Sequence, residues 1–359
     1  MEGTSSLAKS KLKVGIIGTG GISGAHINGY QKMADHCEIV ALCDIQPDVV
    51  KAVGERIGIG PEARYVDHKT MLKEGPKFDV ISVCTPNNAH RECTVNSLKA
   101  GADVLCEKPI AGTAKDGEAM VKTAEETGKR LMIGLQNRWN TESQAIKAFI
   151  DKRAVGNIYH AKAKATRRRG IPSWGRFIEK DYSTGGPLID IGVHILDLTL
   201  YLIDFPKPVS VMGFCYDTIG PKKPAKYVPW GPWDHKRFDV EDYAVALVRF
   251  ENGMSLLLEA SWTQNQADEQ FNVQVLGDKG GVELDPLRFY GEFQGFLTNT
   301  EPVSFPRVNA HEEEIRRFIE AVQKGSKAPT PTPGADALTV QRILDAIYES
   351  NEKGSEVQL

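Results

Sequence analysis

Between Val14 and His26 the chain reads VGIIGTGGISGAH. Apolar β-formers run into clustered glycines, and the glycines run into a helix-like stretch. Such a segment has few folds open to it: a buried strand, a tight turn, and a helix that packs back on the strand. Gly18 allows the turn, and Gly20 lets the backbone close on an anion that faces the free N–H groups of the helix start. Gly21 and Ile22 complete the turn. The third small position is Ser23 rather than glycine, with Gly24 one place later. Asp44 ends the next apolar run, 24 positions after Gly20, close to the ~20 expected for an acid that accepts from an adenosine ribose. Together these features predict a dinucleotide site that takes NAD, with NADP disfavoured because Asp44 would repel a 2′-phosphate. The competing reading is a glycine turn that only packs, with Asp44 capping a strand. The chain has no G-x-x-x-x-G-K-[ST] segment.

The same alternation continues. KVGIIG, EIVALCD, FDVISVCT, DVLCEKP and RLMIGLQ are short apolar runs; PDVVKAVGERIG, HRECTVNSLKAG and KDGEAMVKTAEETG are helix-like. This predicts a doubly wound parallel sheet covered on both faces, an α/β domain over 10–135. Beyond it, NIYHAKAKATRRR, PVSVMGFCYD, EDYAVALVRF, MSLLLEASWT and FNVQVLGDKGGVELD are longer and partly alternating, and RFENGMS reads as a hairpin turn. These predict an α+β domain over 136–310 with a mainly antiparallel, open-faced sheet, whose open face a second copy of the chain would cover. Helical periodicity in Ile315, Phe318, Ile319 and Val322, and in Leu338, Ile343, Leu344 and Ile347, places two helices in 311–359 that pack back on the body. The stretch GPKKPAKYVPWGPWDH is a long irregular loop, of the length that tends to serve as a lid or contact.

Composition narrows the function. Of 359 residues, 41% are apolar and 25% charged, with a formal net charge of −3, which offers no attraction to nucleic acid or an anionic membrane. The amino-terminal MEGTSSLAKSKLK lacks an apolar secretory core. No apolar stretch approaches the ~18 residues needed to span a bilayer. The six cysteines form no CxxC pair, so reduced buried thiols, a cytoplasmic location and no metal are expected.

Two further segments carry chemistry. CEKPIAG places Lys108 at the carboxyl end of a predicted parallel strand, where open α/β sheets bind ligands; most lysines are simply surface groups. GGPLIDIGVHILDL is almost wholly apolar yet holds Asp190, His194 and Asp197. At about 100° per residue these and Tyr201 share one helical stripe. A polar stripe on a buried helix needs partners or a cavity, and an Asp–His pair satisfied within the core is the plainer reading.

The glycine turn, TPNNAH, EKP and GGPLIDIGVH, in this order, resemble the glucose–fructose oxidoreductase / inositol dehydrogenase / rhizopine-catabolism (Gfo/Idh/MocA) family over nearly the whole chain. The resemblance implies a Rossmann domain, an open-faced sheet, and a Lys108 that contacts substrate near the nicotinamide, often before a cis proline; the open sheet itself predicts homo-oligomers (a dimer, tetramer or higher). The resemblance also implies that Thr85, Pro86, Asn88, His90, Glu107 and Gln136 line the cofactor groove together with Lys108, and that Asp190 and His194 face sugar hydroxyls. RRRGIPSWG ahead of GGPLIDIGVHILDL is similar to bacterial dehydrogenases that oxidise the 3-hydroxyl of glucosides, levoglucosan or C-glycosides.

The chemistry expected is reversible oxidation of a secondary hydroxyl of a sugar or polyol. His194 is the first choice of base because imidazole titrates near neutrality. Lys108 would stabilise the developing oxyanion or act as the base itself. Asp190 would orient the substrate, and Asp197 would support the helix or His194 from behind. Arg138 and Arg168 would bind substrate. Trp174 and Arg176 would reach the cofactor or the pocket mouth, or else pack between domains. Trp230 and Trp233 would cap the pocket. Inositol dehydrogenase, a glycosidase using NAD for transient 3-oxidation, and a non-catalytic sugar or NAD sensor are the alternatives.

Overall fold

A computed structural model describes residues 10–359. The first nine residues, part of the stretch read above for a secretory leader, lie outside them. Six parallel strands form the first sheet: β1 (Leu12–Ile17), β2 (Cys37–Cys43), β3 (Arg64–Tyr65), β4 (Val80–Val83), β5 (Asp103–Glu107) and β6 (Leu131–Gly134). Their spatial order is β3-β2-β1-β4-β5-β6, the order of doubly wound dinucleotide-binding sheets. The central strands are mostly apolar because helices cover both faces, and β4 and β6 are buried along their whole length. These helices are α1 (Ser23–Lys32), α2 (Pro47–Ile57), α3 (His68–Glu74), α4 (His90–Lys99) and α5 (Ala114–Thr127).

After α6 (Thr141–Asp151) comes the second sheet, mixed but mainly antiparallel. It contains β7 (Ile158–Thr166), β8 (Pro208–Tyr216), β9 (Tyr243–Phe250), β10 (Ser255–Ser261), β11 (Gln270–Gly277), β12 (Gly281–Glu283), β13 (Arg288–Phe293), β14 (Phe296–Thr300) and β15 (Val357–Gln358). The β9–β10 hairpin turns through Asn252 and Gly253, where Gly253 has φ 85°. The one parallel pair is β7 with β10. Alternation along β9 is clean: Ala244, Ala246 and Val248 point into the core, while Tyr243, Val245 and Leu247 face outward. On the inner face lie a π-helical turn over Leu188–Gly192 and α8 (Val193–Leu202), while the short α7 (Lys180–Ser183) meets the Asn87–Ala89 turn of the first domain. The continuous stretch Lys180–Leu202 is long and apolar enough, by length and composition, to cross a bilayer, which revises the expectation that no stretch approaches a span. It is 83% buried inside the protein, as a core helix is.

The tail crosses back over both sheets. α9 (Ala310–Gln323) sets Ile315, Phe318 and Ile319 into the core beneath α1, each worth about 1.5–3 kcal/mol of apolar burial. α10 (Gly334–Lys353) packs on α5, α8 and β8, and β15 then adds a strand beside β8. All six cysteines are free thiols, five of them buried.

Candidate active site

The glycine turn sits at the carboxyl end of β1. Gly18 has φ 88°, and a Cβ there would fall 2.6 Å from the Cys84 backbone, so only glycine is accommodated. Gly20, Gly21 and Ile22 are exposed, and a Cβ on either glycine would meet nothing within 4 Å. This is an open cradle for a pyrophosphate. Ser23 replaces the third glycine without penalty because it is buried and its hydroxyl donates to the Gly20 carbonyl at 2.7 Å, fixing the loop. Asp44, half-buried, accepts from the Thr19 N–H at 2.8 Å and from the Gln46 N–H at 2.9 Å. It therefore holds the turn and remains accessible at the strand end. Thr85, Pro86 and Gln136 are half-buried and Asn88 is exposed. The Thr85 hydroxyl is buried with no hydrogen-bond partner among the described residues. These residues suit NAD.

Two residues expected in the groove stand behind it. His90 is fully buried, with its ring nitrogens 2.8 Å from the carbonyl oxygens of Pro109 and Thr85, so it ties the two loops together. Glu107 is 6% exposed and accepts from His26 Nε2 at 2.8 Å and from the Lys108 N–H at 3.2 Å. Burial opposes its charge, but the His26 hydrogen bond and the nearby positive charges outweigh burial and bring its pKa down to about 2. Beyond His26 the chain of bonds continues to Ser82 at 3.1 Å and from Ser82 to Tyr30 at 2.6 Å. With Glu107 ionised, each donor has one acceptor: Tyr30 O–H to Ser82, Ser82 O–H to His26 Nδ1, and His26 Nε2–H to Glu107. Sequence reading missed this line, since His26 passed as the end of the glycine motif.

The Lys108–Pro109 bond is cis. Lys108 Nζ donates to Asp190 Oδ1 at 3.0 Å and to the Asp190 carbonyl at 2.9 Å. The other carboxylate oxygen, Oδ2, accepts from Trp262 Nε1 at 3.0 Å. Burial opposes the Asp190 charge; Lys108 and then Arg167 overcome it and hold the carboxyl below its usual range. Asp190 lies in the π-helical turn, a departure from regular helix that recurs at functional sites. Glu241 holds that turn from outside, accepting from the Gly186 N–H at 2.9 Å, the Leu188 N–H at 3.0 Å and the Tyr348 hydroxyl at 3.0 Å. A Cβ on Gly186 would collide with the Glu241 carbonyl at 2.1 Å, which explains a glycine there. Glu241, at the start of a strand, was not singled out from the sequence.

His194 lies one turn beyond Asp190. Its Nδ1 is shielded from solvent and has no hydrogen-bond partner among the described residues. The expectation that it titrates near neutrality is corrected: burial first, and then the Lys108 charge, push it down to about 3. It is a neutral imidazole with free hydrogen-bonding capacity.

The helical stripe divides. Asp197 does not back His194; it forms a buried bidentate pair with Arg138 at 2.6 and 2.9 Å, and Asp336 joins at 2.9 Å. Arg138, 1% exposed, is thus a structural ion rather than the substrate ligand expected; each of its three nitrogens donates to a carboxylate and almost no solvent-facing surface remains. Tyr201 accepts from Gln144 at 3.0 Å. Of the three consecutive arginines, Arg167 lies over the Trp230 ring, Arg169 binds the Gln264 carbonyl at 3.1 Å and Asn265 at 2.7 Å, and Arg168 is exposed. Arg176 is engaged by Glu179 at 2.8 Å and Asp181 at 2.9 Å on its own loop, and Trp174 stacks on Trp230. Trp233 is buried and anchors its loop instead of capping a pocket. No group of three or more His, Cys, Asp or Glu residues suited to a metal occurs among the described residues.

Comparison with known proteins agrees with this architecture. Residues 12–135 match the family described as oxidoreductase family, NAD-binding Rossmann fold, and residues 143–283 match the GFO/IDH/MocA C-terminal domain. The chain is 34% identical to the D-glucoside 3-dehydrogenase of Escherichia coli strain K12 over 356 residues, covering 99% of both. The crystal structure of an aldose-aldose oxidoreductase from Caulobacter crescentus complexed with glycerol superposes with a TM-score of 0.79 at 27% identity, over 98% of this chain and 100% of that one. Levoglucosan dehydrogenase in complex with NADH and levoglucosan shares the fold, with a TM-score of 0.81 at 22% identity over 97% and 99%. With a dinucleotide turn on one sheet, a lysine–aspartate pair joining it to the other, and both halves matched, the chain belongs to the GFO/IDH/MocA family of NAD-binding oxidoreductases.

Proposed function

We propose that this enzyme oxidises a secondary hydroxyl of a glucoside, at C3, to a keto sugar. The observation that carries the proposal is the meeting of Lys108 and Asp190 beside a His194 whose Nδ1 has no hydrogen-bond partner among the described residues. Lys108 comes from the carboxyl end of a first-sheet strand and Asp190 and His194 from the second domain, and in this reading each binds a hydroxyl of one sugar ring. The full-length likeness to a D-glucoside 3-dehydrogenase supports the choice of sugar and position.

When bound, NAD supplies the hydride acceptor. The Lys108 ammonium donates to the reacting oxygen and stabilises negative charge as it develops there. Asp190 accepts from a neighbouring hydroxyl and keeps Lys108 aimed through its carboxylate and its carbonyl. Neutral His194 accepts a hydrogen bond from the reacting hydroxyl at a ring nitrogen; with its pKa held at about 3, it passes that proton on toward solvent rather than keeping it. Glu107, held by His26, fixes the main chain under Lys108. The exposed Arg168 serves the outer hydroxyls. Outward-facing Phe214, Tyr216, Tyr243, Val245 and Leu247 on the second sheet favour a dimer, or a multiple of it, formed face to face. A cytoplasmic location is consistent with free thiols.

The test is absorbance at 340 nm with NAD and a panel of glucose, glucosides, C-glucosides and inositols, beside Lys108→Ala and His194→Ala. NADH that appears with glucosides, with 3-keto product, and is lost in both variants is the expected result. NADH with inositols alone would replace the substrate. Free aglycone formed without net NADH would make the enzyme a glycosidase. Absence of NADH, keto product and aglycone across the panel would overturn catalysis in favour of a sensor.

A further inference from the structure

Two loops that meet above the ends of β7 and β10 carry a stack of three planar groups. Arg167 Cζ lies 4.2 Å from the centroid of the Trp230 ring. Trp230 and Trp174 stack with centroids 5.5 Å apart and planes 21° from parallel. The loops are joined by a hydrogen bond from the Ser173 hydroxyl to the Trp230 carbonyl. The longer loop is also built in. Trp233 is buried and donates to the Gly220 carbonyl at 2.7 Å, and Asp242 accepts from the Ile219 and Gly220 N–H groups at 2.5 and 2.6 Å.

The inner end of the stack adjoins the catalytic pair. Arg167 follows β7, and its N–H donates to the Ser261 carbonyl at 2.9 Å. The residue after Ser261 is Trp262, which donates to Asp190. Arg167 and Trp262 are thus neighbours on adjacent strand ends, and the Arg167 charge is felt at Asp190. The outer end is open: Trp174 is 55% exposed, although it is one of the largest apolar side chains in the protein. An indole fixed from behind and wet in front selects flat, apolar partners, because stacking adds to the burial of area.

We propose that Trp174, braced from behind by Trp230 and Arg167, forms an aglycone subsite whose open face stacks the aromatic aglycone of a glucoside whose sugar ring lies at Lys108, Asp190 and His194. This rests on the glucoside reading above. The line Asp190, Trp262, Arg167, Trp230, Trp174 leads from the reacting ring outward, so a substituent on that ring runs along the stack. The substrate class is therefore aryl glucosides rather than free sugars. Trp174 then serves substrate and not the dinucleotide.

Phenyl and methyl glucosides test this in the full-length enzyme, with turnover followed as NADH and binding followed by quenching of indole fluorescence and by calorimetry. Phenyl glucoside should bind and turn over with about tenfold higher kcat/KM than methyl glucoside. Trp174→Ala and Trp230→Ala should each erase most of that ratio through KM, and Trp174→Phe should keep it. A ratio near one, or a ratio that survives both alanine variants, would overturn the subsite. So would a Trp174→Ala protein that loses NAD affinity and keeps its preference for phenyl glucoside, since the platform would then belong to the cofactor. If no glucoside is oxidised, the parent reading fails instead. Calorimetry then decides the platform alone: tryptophan-dependent binding of phenyl glucoside supports it, and no binding overturns it.

Discussion

Lys108 Nζ lies 3.0 Å from Asp190 Oδ1 and 2.9 Å from the carbonyl oxygen of the same residue, across 82 positions of sequence and across two domains. The lysine is thereby held by two acceptors on a turn that cannot shift without moving α8. Each partner is about one-fifth exposed, so the pair is sheltered but open to a ligand. Replacing Lys108 by alanine should lower kcat/KM about 10²–10³-fold, the cost of losing one donor at a developing oxyanion. Stability should change little, because Asp190 keeps Trp262 and Arg167. Steady-state rates with a thermal melt check this; a parallel collapse of Tm would show a structural lysine instead.

His194 supplies a pH test. Free imidazole titrates near 6.5, whereas burial and Lys108 hold His194 at about 3. Between those values the unfolded chain binds a proton that the folded chain refuses. Stability from this residue is therefore complete above about pH 6.5 and is lost as pH falls toward 3. His194→Gln should flatten the decline by about 1 kcal/mol at pH 5, discounted for partial exposure. Denaturant titrations of both proteins at pH 5 and 7.5 measure it, and identical pH slopes would contradict it.

Arg138 and Asp197 predict a stability effect separable from chemistry. Arg138→Met leaves Asp197 buried without its bidentate partner and should cost about 3–5 kcal/mol. Arg138→Met combined with Asp197→Leu should recover much of that loss. Urea unfolding of the single and double variants decides the matter; a neutral single variant would mean that the pair contributes nothing.

Asp44 should set cofactor choice. Asp44→Ser removes a charged acceptor from the strand end and weakens its hold on Thr19. The dissociation constant for NADH should rise about tenfold or more, while that for NADPH falls or stays level. Fluorescence titration with both nucleotides reads the ratio, and an unchanged preference would remove Asp44 from ribose recognition.

Much of the first domain was legible because its strands are buried on both faces and its helices punctuate them. The hairpin at Asn252 and Gly253 was equally plain. By contrast β13 and β14 went unread: Gly291, Gln294 and Gly295 interrupt them, and most of their residues are exposed, so no hydrophobic period marks them. Lys108, Asp190 and His194 stood out as polar groups inside apolar segments. Arg138 was misread because its partners, Asp197 and Asp336, lie 59 and 198 positions away, and nothing local separates a buried arginine from a ligand-binding one. The stripe on α8 was drawn for a regular helix, and the π-helical turn broke its register. His90 and Glu107 were placed in the groove by resemblance; their sequence neighbourhood carries no sign that carbonyl and imidazole partners would draw them behind it.

The return of α9 beneath α1 has a consequence for synthesis. Ile27 and Ile315 share one core cluster yet emerge from the ribosome 288 residues apart. At about 5–20 residues per second, the face of α1 waits roughly 15–60 s for its cover. Through that interval Val14, Ile16, Ile27 and Tyr30 bound an unfinished apolar floor. The nascent chain is therefore an obvious client for holding chaperones, and a stop codon placed before Ala310 should yield an aggregating fragment rather than a free-standing nucleotide-binding domain.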